Sequence, residues 1–336
     1  MRKKKVTMKD IAVLAGVSQP TVSIILNNSD RVRIAEETRQ RVLNAAQQLG
    51  YVTRKPTLHS RLHHRIAFVV NSINMHDPFL NAVVAAREQA WQYNHVLVVF
   101  DYEEQSDIQQ SLIDELSTGD YCALIYARNM LEAVDCFDLP FPLPTVMLNC
   151  YSKDPETKIP AILPADLAGG FNITNHLISQ GYKRIAYLGG EPWAEPSQQR
   201  LEGYKQALLQ ADYIPREELI GYGNWSVQQS YLQTQRFLAL SAPPDAIFCA
   251  SDLMAVGCYQ AIANAGLSIP EDVAIAGYDN QLLASELTPD LTSIDLPYDD
   301  MARLAVNRLL DKRSSSVEIL TQRIEGEVTI RHSTIR

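Results

Sequence analysis

The sequence predicts an N-terminal all-α head of helix-turn-helix type joined to an α/β body of two lobes with parallel sheets. Three observations lead there. Between Thr7 and Ser23 a short helical period stops at Gly16 and resumes behind Ser18 and Pro20. From Ile66 onward, short apolar runs alternate with helical stretches. The charge divides at the same place. Residues 1–65 hold 13 Lys and Arg against 4 Asp and Glu, a formal +9, and residues 66–336 hold 17 against 35, a formal −18. At 336 residues the chain is too long for one ordinary core.

In the head, Thr7 can cap a first helix, with Asp10 answering three residues on as in a capping box. Ile11, Ala12, Leu14 and Ala15 supply an apolar face. Gly16 ends the helix, because only glycine enters the left-handed region without strain. Ser18 is a good N-cap for a second helix, and Pro20 is tolerated in a first turn. Val22, Ile25 and Leu26 can pack inward while Val17 closes the corner. Asn27 to Asp30 read as a loop. A third helix is expected from about Ala35 to Leu49, with Val42, Leu43, Ala46 and Leu49 on one face. A merely solvated basic tail would lack this periodicity.

Such a module places its second helix in the major groove of DNA, where side chains near the helix start read base edges. Gln19, Pro20, Thr21, Ser23 and Ile24 are left facing outward. Gln19 can pair with adenine, and Ile24 can touch a thymine methyl or pack into the small core. Thr7, Ser18, Thr21, Ser23, Asn27 and Arg39 suit phosphate. A basic head on an acidic body is the asymmetry expected when only the head meets DNA.

The residues Asp10-Ile11-Ala12, Ala15-Gly16-Val17-Ser18, Thr21-Val22-Ser23, Asn27, Thr38-Arg39, Val42 and Gly50-Tyr51 give the head a specific pattern. It resembles that of the lactose-repressor (LacI/GalR) family. The resemblance implies a homodimer whose two heads, 1–51, bind the halves of a near-palindromic double-stranded operator, with Tyr51 among the contact residues. It also implies that the linker, 52–65, folds on DNA into a hinge helix that wedges the minor groove. Here the family's Pro-Asn after the tyrosine is Thr53-Arg54, Pro56 sits where a helix would start, and Ser60 falls near the wedge position between Leu58 and Leu62. Either the register is shifted, with Leu58 and Leu62 as the wedge, or the hinge works differently. His59, His63 and His64 read as surface cations near phosphate.

In the body, strands are expected at Ile66–Val70, Val96–Phe100, Cys122–Tyr126, Thr145–Leu148, Ile185–Leu188, Ala246–Ala250 and Val273–Gly277. Helices are expected at Phe79–Tyr93, Ile108–Ser117, Ala168–Gln180, Gln198–Gln210, Val227–Leu240, Leu253–Ala265 and Tyr298–Asp311. This alternation means parallel sheets covered on both faces. There are too many strands for one small sheet, so two lobes with a cleft between them are expected, with ligands beyond the strand carboxyl ends.

Residue types just past those ends suit a sugar. Arg200 offers a fork of donors for neighbouring hydroxyls, and Asp279 can accept from two hydroxyls. Trp225 could stack on the apolar face of a pyranose. Asn149 and Ser251 follow strands, Asp252 can cap the next helix, and Phe79 could wall the other lobe. The strings Gly181–Gly190, Arg200–Tyr204, Ala250–Gly257 and Ala276–Asn280 again resemble the LacI/GalR family, whose sensor is akin to periplasmic sugar-binding proteins. By that resemblance the effector-binding and dimerisation domain is 66–336. Its lobe 1 is about 66–164 and 296–323, and its lobe 2 about 165–295 and 324–336. Asn149 stands where the family often has Asp, which removes a charge and adds donors.

Five scattered cysteines, without metal-ligand spacing, read as reduced thiols; no metal or cofactor is expected. No signal peptide and no bilayer span is evident, so the chain should stay in the cytoplasm, at the nucleoid when bound to DNA. No catalytic fingerprint such as GxSxG, a P-loop or HExxH occurs. The expected function is a transcriptional regulator, a repressor of carbohydrate-utilisation genes controlled by a sugar or sugar derivative, and not an enzyme. The competing reading is a sugar-binding protein of a transport system, which the head argues against.

Overall fold

The computed structural model describes residues 7–26, 35–49, 64–74, 77–102, 106–135, 143–310 and 320–335. The expectations on Asn27, Tyr51, Leu58 and Leu62 lie outside these, as do the side chains of Ser23, Ile24 and Leu26. The chain divides into two units, Met1–His63 and His64–Arg336.

The head contains α1 (Met8–Ala15), α2 (Gln19–Leu26) and α3 (Glu36–Gln48). Thr7 caps α1 with the complete capping box. Asp10 N–H donates to the Thr7 hydroxyl oxygen, and the Asp10 carboxylate accepts from Thr7 N–H at 2.8 Å. Gly16 ends α1 at φ 67°. Ser18 Oγ accepts from Thr21 N–H at 3.3 Å and so caps α2. The small core joins Ile11, Ala12, Ala15, Val22, Ile25, Val42, Ala45 and Ala46, with Met8, Val17 and Leu49 packed on it. Leu14 and Leu43 were expected inside, but they are 47% and 41% exposed. Three short helices enclose only a narrow stripe each, and Ala15 and Ala45 fill the places beside them.

The body opens with β1 (His64–Val70), inside the segment read as linker. There follow α4 (Leu80–Gln92), β2 (His95–Asp101), α5 (Ser106–Thr118), β3 (Tyr121–Val134), β4 (Thr145–Ser152) and β5 (Ala161–Pro164). The chain then continues through α6 (Asp166–Ser179), β6 (Ile185–Gly189), α7 (Glu195–Gln210), β7 (Ile220–Tyr222), α8 (Val227–Leu238), β8 (Ala246–Cys249), α9 (Asp252–Asn264) and β9 (Ala274–Asp279). Last come α10 (Leu282–Glu286), β10 (Thr292–Asp295), α11 (Tyr298–Leu310), β11 (Thr321–Ile324) and β12 (Val328–Thr329).

Two six-stranded sheets result, ordered β11-β5-β4-β3-β1-β2 and β12-β10-β9-β8-β6-β7. Every neighbouring pair is parallel except β10 and β12. The continuous apolar runs arise because both faces of each sheet are covered. In β1, Ile66, Phe68 and Val70 face a core that includes Ala82, Ala86, Met301 and Val306 of α4 and α11. Ala67 and Val69 face another that includes Leu112 and Leu116 of α5. The second sheet repeats the plan, with Tyr187 and Phe248 on one side and Leu188 and Cys249 on the other. The chain passes between the sheets after β5, after β10 and after β11.

Candidate functional site

In the head, α2 presents its first turn to solvent. Gln19 and Pro20 are exposed, and Thr21 is half-buried with its hydroxyl 2.8 Å from that of Ser18. Thr7 is exposed at the start of α1, its hydroxyl donating to Asp10 at 2.7 Å, and Arg39 is half-buried on α3.

In the body, a cavity of about 400 Å³ opens where the carboxyl ends of both sheets meet. From the first lobe come Asp77 after β1, Asn129 in β3, Asn149 in β4 and Tyr298 at the start of α11. From the second come Asp166, Glu191, Arg200, Trp225, Ser251 and Asp279. Five of the expected residues, Asn149, Arg200, Trp225, Ser251 and Asp279, are thus brought together.

Phe79 is not part of this wall. Its ring is 1% exposed and packs against Phe68 and, edge-on at 5.0 Å, against Tyr298. The apolar ring is taken into the lobe core, and Tyr298 occupies the face that Phe79 was expected to supply.

Arg200 is almost wholly buried. Its Nε donates to Asp166 Oδ1 at 2.7 Å, its Nη1 to the Ala250 carbonyl at 2.5 Å, and its guanidinium lies 3.6 Å from the Tyr278 ring centroid. Part of the expected fork is therefore spent on the protein itself. Asn149 shows a similar correction. Its Nδ2 donates to the Arg128 carbonyl and the Tyr298 hydroxyl at 2.9 and 3.0 Å, so the added donors point inward and the oxygen is left over.

Ser251, not Asp252, caps α9, accepting from Met254 N–H. Asp252 is the first residue of that helix, and its carboxylate accepts from the Ser293 hydroxyl and Gln281 N–H. Burial pushes the Asp252 carboxyl up to about 7. Burial and the nearby Asp252 push Asp279 well above the usual carboxylate range, and burial also raises Asp77.

Two features set this wall apart. Four buried atoms on it have no hydrogen-bond partner among the described residues: Asn149 Oδ1, Asp166 Oδ2, Glu191 Oε2 and Trp225 Nε1. Leaving such atoms unpaired costs about 1–3 kcal/mol each. Three lining residues also hold left-handed backbone, Asn149 at φ 57°, Trp225 at 54° and Asp279 at 108°. For Trp225 that is a true outlier, and such strain collects at ligand sites. The indole is seated on Gly190, where a Cβ would lie 2.1 Å from the ring, so only glycine leaves room for it. Beside the cavity the lobes are bridged by Tyr151, whose hydroxyl donates to Glu195 at 3.0 Å.

Asp77, Asp166, Glu191 and Tyr298 had not been expected in the site. Glu191 had a signal, since it follows the apolar run Ile185–Leu188. Asp166 had none, since β5 ahead of it was not foreseen.

Residues 7–54 match the family model described as bacterial regulatory proteins, lacI family. Residues 174–334 match the model of a periplasmic binding protein-like domain. The chain is 31% identical over 332 residues to the HTH-type transcriptional repressor CytR of Escherichia coli, covering 98% of this chain and 96% of that protein. It is 33% identical to the ribose operon repressor of Haemophilus influenzae, covering 91% of each. Among solved structures, the transcriptional regulator CelR in complex with cellobiose superposes with a TM-score of 0.66 at 27% identity, covering 98% of this chain and 99% of that one. The lac repressor dimer bound to operator and an anti-inducer gives 0.72 at 26% identity, covering 99% and 100%. Among the described residues no helix is long and apolar enough to cross a membrane.

Proposed function

The chain belongs to the lacI family of bacterial regulatory proteins, and from that membership we propose how its parts divide the work of a sugar-responsive repressor. It is a DNA-binding transcriptional regulator, not an enzyme. The head, 1–51, reads the operator through Gln19 and its neighbours on α2, with Thr7, Ser18, Thr21 and Arg39 set for the backbone. Ser23, Ile24, Asn27, Tyr51, Leu58 and Leu62 complete that contact set, and 52–65 is the hinge. Two copies act together, so that two heads meet two half-sites, as the lac repressor dimer does on its operator. Its place of work is the cytoplasm, at the nucleoid when bound.

The body senses the effector. The observation that carries this is the set of four unpartnered polar atoms lining one cavity between two lobes. Asn149, Arg200, Trp225, Ser251 and Asp279 hold the ligand, joined by Asp166 and Glu191. A small molecule there contacts both lobes, so its affinity differs between arrangements of the lobes, and that difference alone can bias the head. Cellobiose in the CelR complex and ribose in the name of a second relative point to a carbohydrate.

The test is operator binding by fluorescence anisotropy against a panel of sugars and nucleosides. At least one compound should shift the operator affinity severalfold, and Asp279→Ala should abolish the shift while leaving operator binding intact. A response that survives in Asp279→Ala would place the sensor site elsewhere.

A further inference from the structure

We infer that the cleft is built for an uncharged, hydroxyl-rich ring compound and rejects the phosphorylated and carboxylated forms of that compound. This rests on the sensor reading above and concerns the class of molecule that the same cavity takes. Of the four unpartnered atoms, Asn149 Oδ1, Asp166 Oδ2 and Glu191 Oε2 accept and only Trp225 Nε1 donates. An occupant that satisfies them brings at least three N–H or O–H groups and one acceptor. Ring hydroxyls both donate and accept, so a sugar or the ribose of a nucleoside meets both demands. An ionised phosphate or carboxylate brings acceptors alone, and set against these atoms it leaves them unpaired and repelled.

The charge around the cavity points the same way. Its wall sets one cation, Arg200, against the carboxyl groups of Asp166 and Glu191, with Asp77 and Asp279, both pushed towards the neutral form by burial, beside them. That cation already has a carboxylate partner. Its Nε is on Asp166, its Nη1 is on the Ala250 carbonyl, and its flat face is on Tyr278. Helix N-termini are the other usual anion anchors. Of the helices that start at or beside the cleft, α6, α7, α9 and α11 carry an acid in the first turn, among them Asp166, Glu195, Asp252 and Asp299, and Asp77 accepts from Phe79 N–H ahead of α4, whereas α8 and the short α10 have none. All of these positive ends but those of α8 and α10 are thus already matched by the chain's own carboxylates.

Titration calorimetry on the full chain tests this. The probes are galactose, ribose, cellobiose and adenosine, each beside its phosphate monoester, with the aldonic acids of the three sugars. At least one uncharged compound should bind, and its charged counterpart should bind at least about tenfold more weakly. Glu191→Gln, which keeps an acceptor and removes a charge, should narrow that gap. The sugar and nucleoside arms tell which source supplies the hydroxyls. A charged compound that binds as tightly as its uncharged counterpart would overturn the inference and leave the sensor reading standing. No heat from any compound of either charge would overturn the sensor reading and this inference together.

Discussion

Arg200 Nε stands 2.7 Å from Asp166 Oδ1, and both side chains are at most 5% exposed. The pair joins α7 to the first residue of α6, where the chain has just crossed from the first lobe. Burial alone would lower the Arg200 pKa, but the adjoining Asp166 carboxylate, helped by Tyr278 and Asp279, outweighs it and holds the guanidinium charged. Asp166→Ala would strand a buried cation, a loss of about 3–5 kcal/mol. Thermal denaturation should show a clear drop in Tm. A variant that melts with the parent would mean that the pair does not hold the two helices together.

Gly190 gives a finer probe of the cavity. Gly190→Ala sets a methyl against the Trp225 ring, and overpacking of this kind costs about 1–3 kcal/mol. The strained loop that carries the indole should yield before the strand does. The fold should survive, with the effector response weakened or lost. An unchanged response in anisotropy would show that the position of Trp225 is immaterial to the effector.

Stability should depend on pH through Asp252. Unfolded, this carboxyl titrates near 3.8; folded, burial, aided by Asp295, moves it to about 7. Between those values the folded chain holds a proton that the unfolded chain has released. Stability therefore falls as pH rises from about 4 through about 7, then levels. Asp279 shifts in the same direction. His176, whose pKa burial lowers, works oppositely, so the useful quantity is the difference between parent and Asp252→Asn. Urea midpoints taken near pH 5 and near pH 8 should fall more steeply in the parent. Equal slopes would mean that Asp252 ionises freely in the fold.

In the head, Gln19→Ala should relax preference at one base pair per half-site, by about 1–3 kcal/mol. A uniform loss over all sequences would assign Gln19 to the backbone instead. If the dimer makes about 6–10 phosphate contacts, affinity should drop on the order of a thousandfold or more between about 50 and 200 mM salt. Binding that hardly changes over that range would rule out a grip of this kind.

The long buried strands were legible in the sequence because both faces of each are covered, so runs such as Ile66–Val70 and Ile185–Leu188 carry no polar break. The strands that escaped were short or at the rim. Thr321–Ile324 and Val328–Thr329 are sheet edges without a single fully buried residue. The same limit governed the site. Arg200, Asp279 and Trp225, which line the cavity, were singled out by residue type and by position after an expected strand or within a motif. Asp166 follows the four residues of β5, and with that strand unseen there was no end to look beyond. Phe79 failed for a different reason. Its type suited a wall, but the direction of a single ring depends on contacts with Phe68 and Tyr298 that sequence spacing does not carry.

The sheet that begins at β1 borrows its last pieces from the far end of the chain. Met301, Ala302, Ala305 and Val306 of α11 close one of its faces, and β11 supplies its edge beside β5. During synthesis, a ribosome that has released residues 64–164 has made five of that sheet's strands and none of this cover. That apolar face, covered by α4 alone, must wait for α11 while the whole second lobe emerges. The second lobe, by contrast, has all but β12 in one contiguous stretch. Since domains generally fold as units, the nascent protein reverses the usual order: the lobe written first is finished last, with one flank open until α11 arrives.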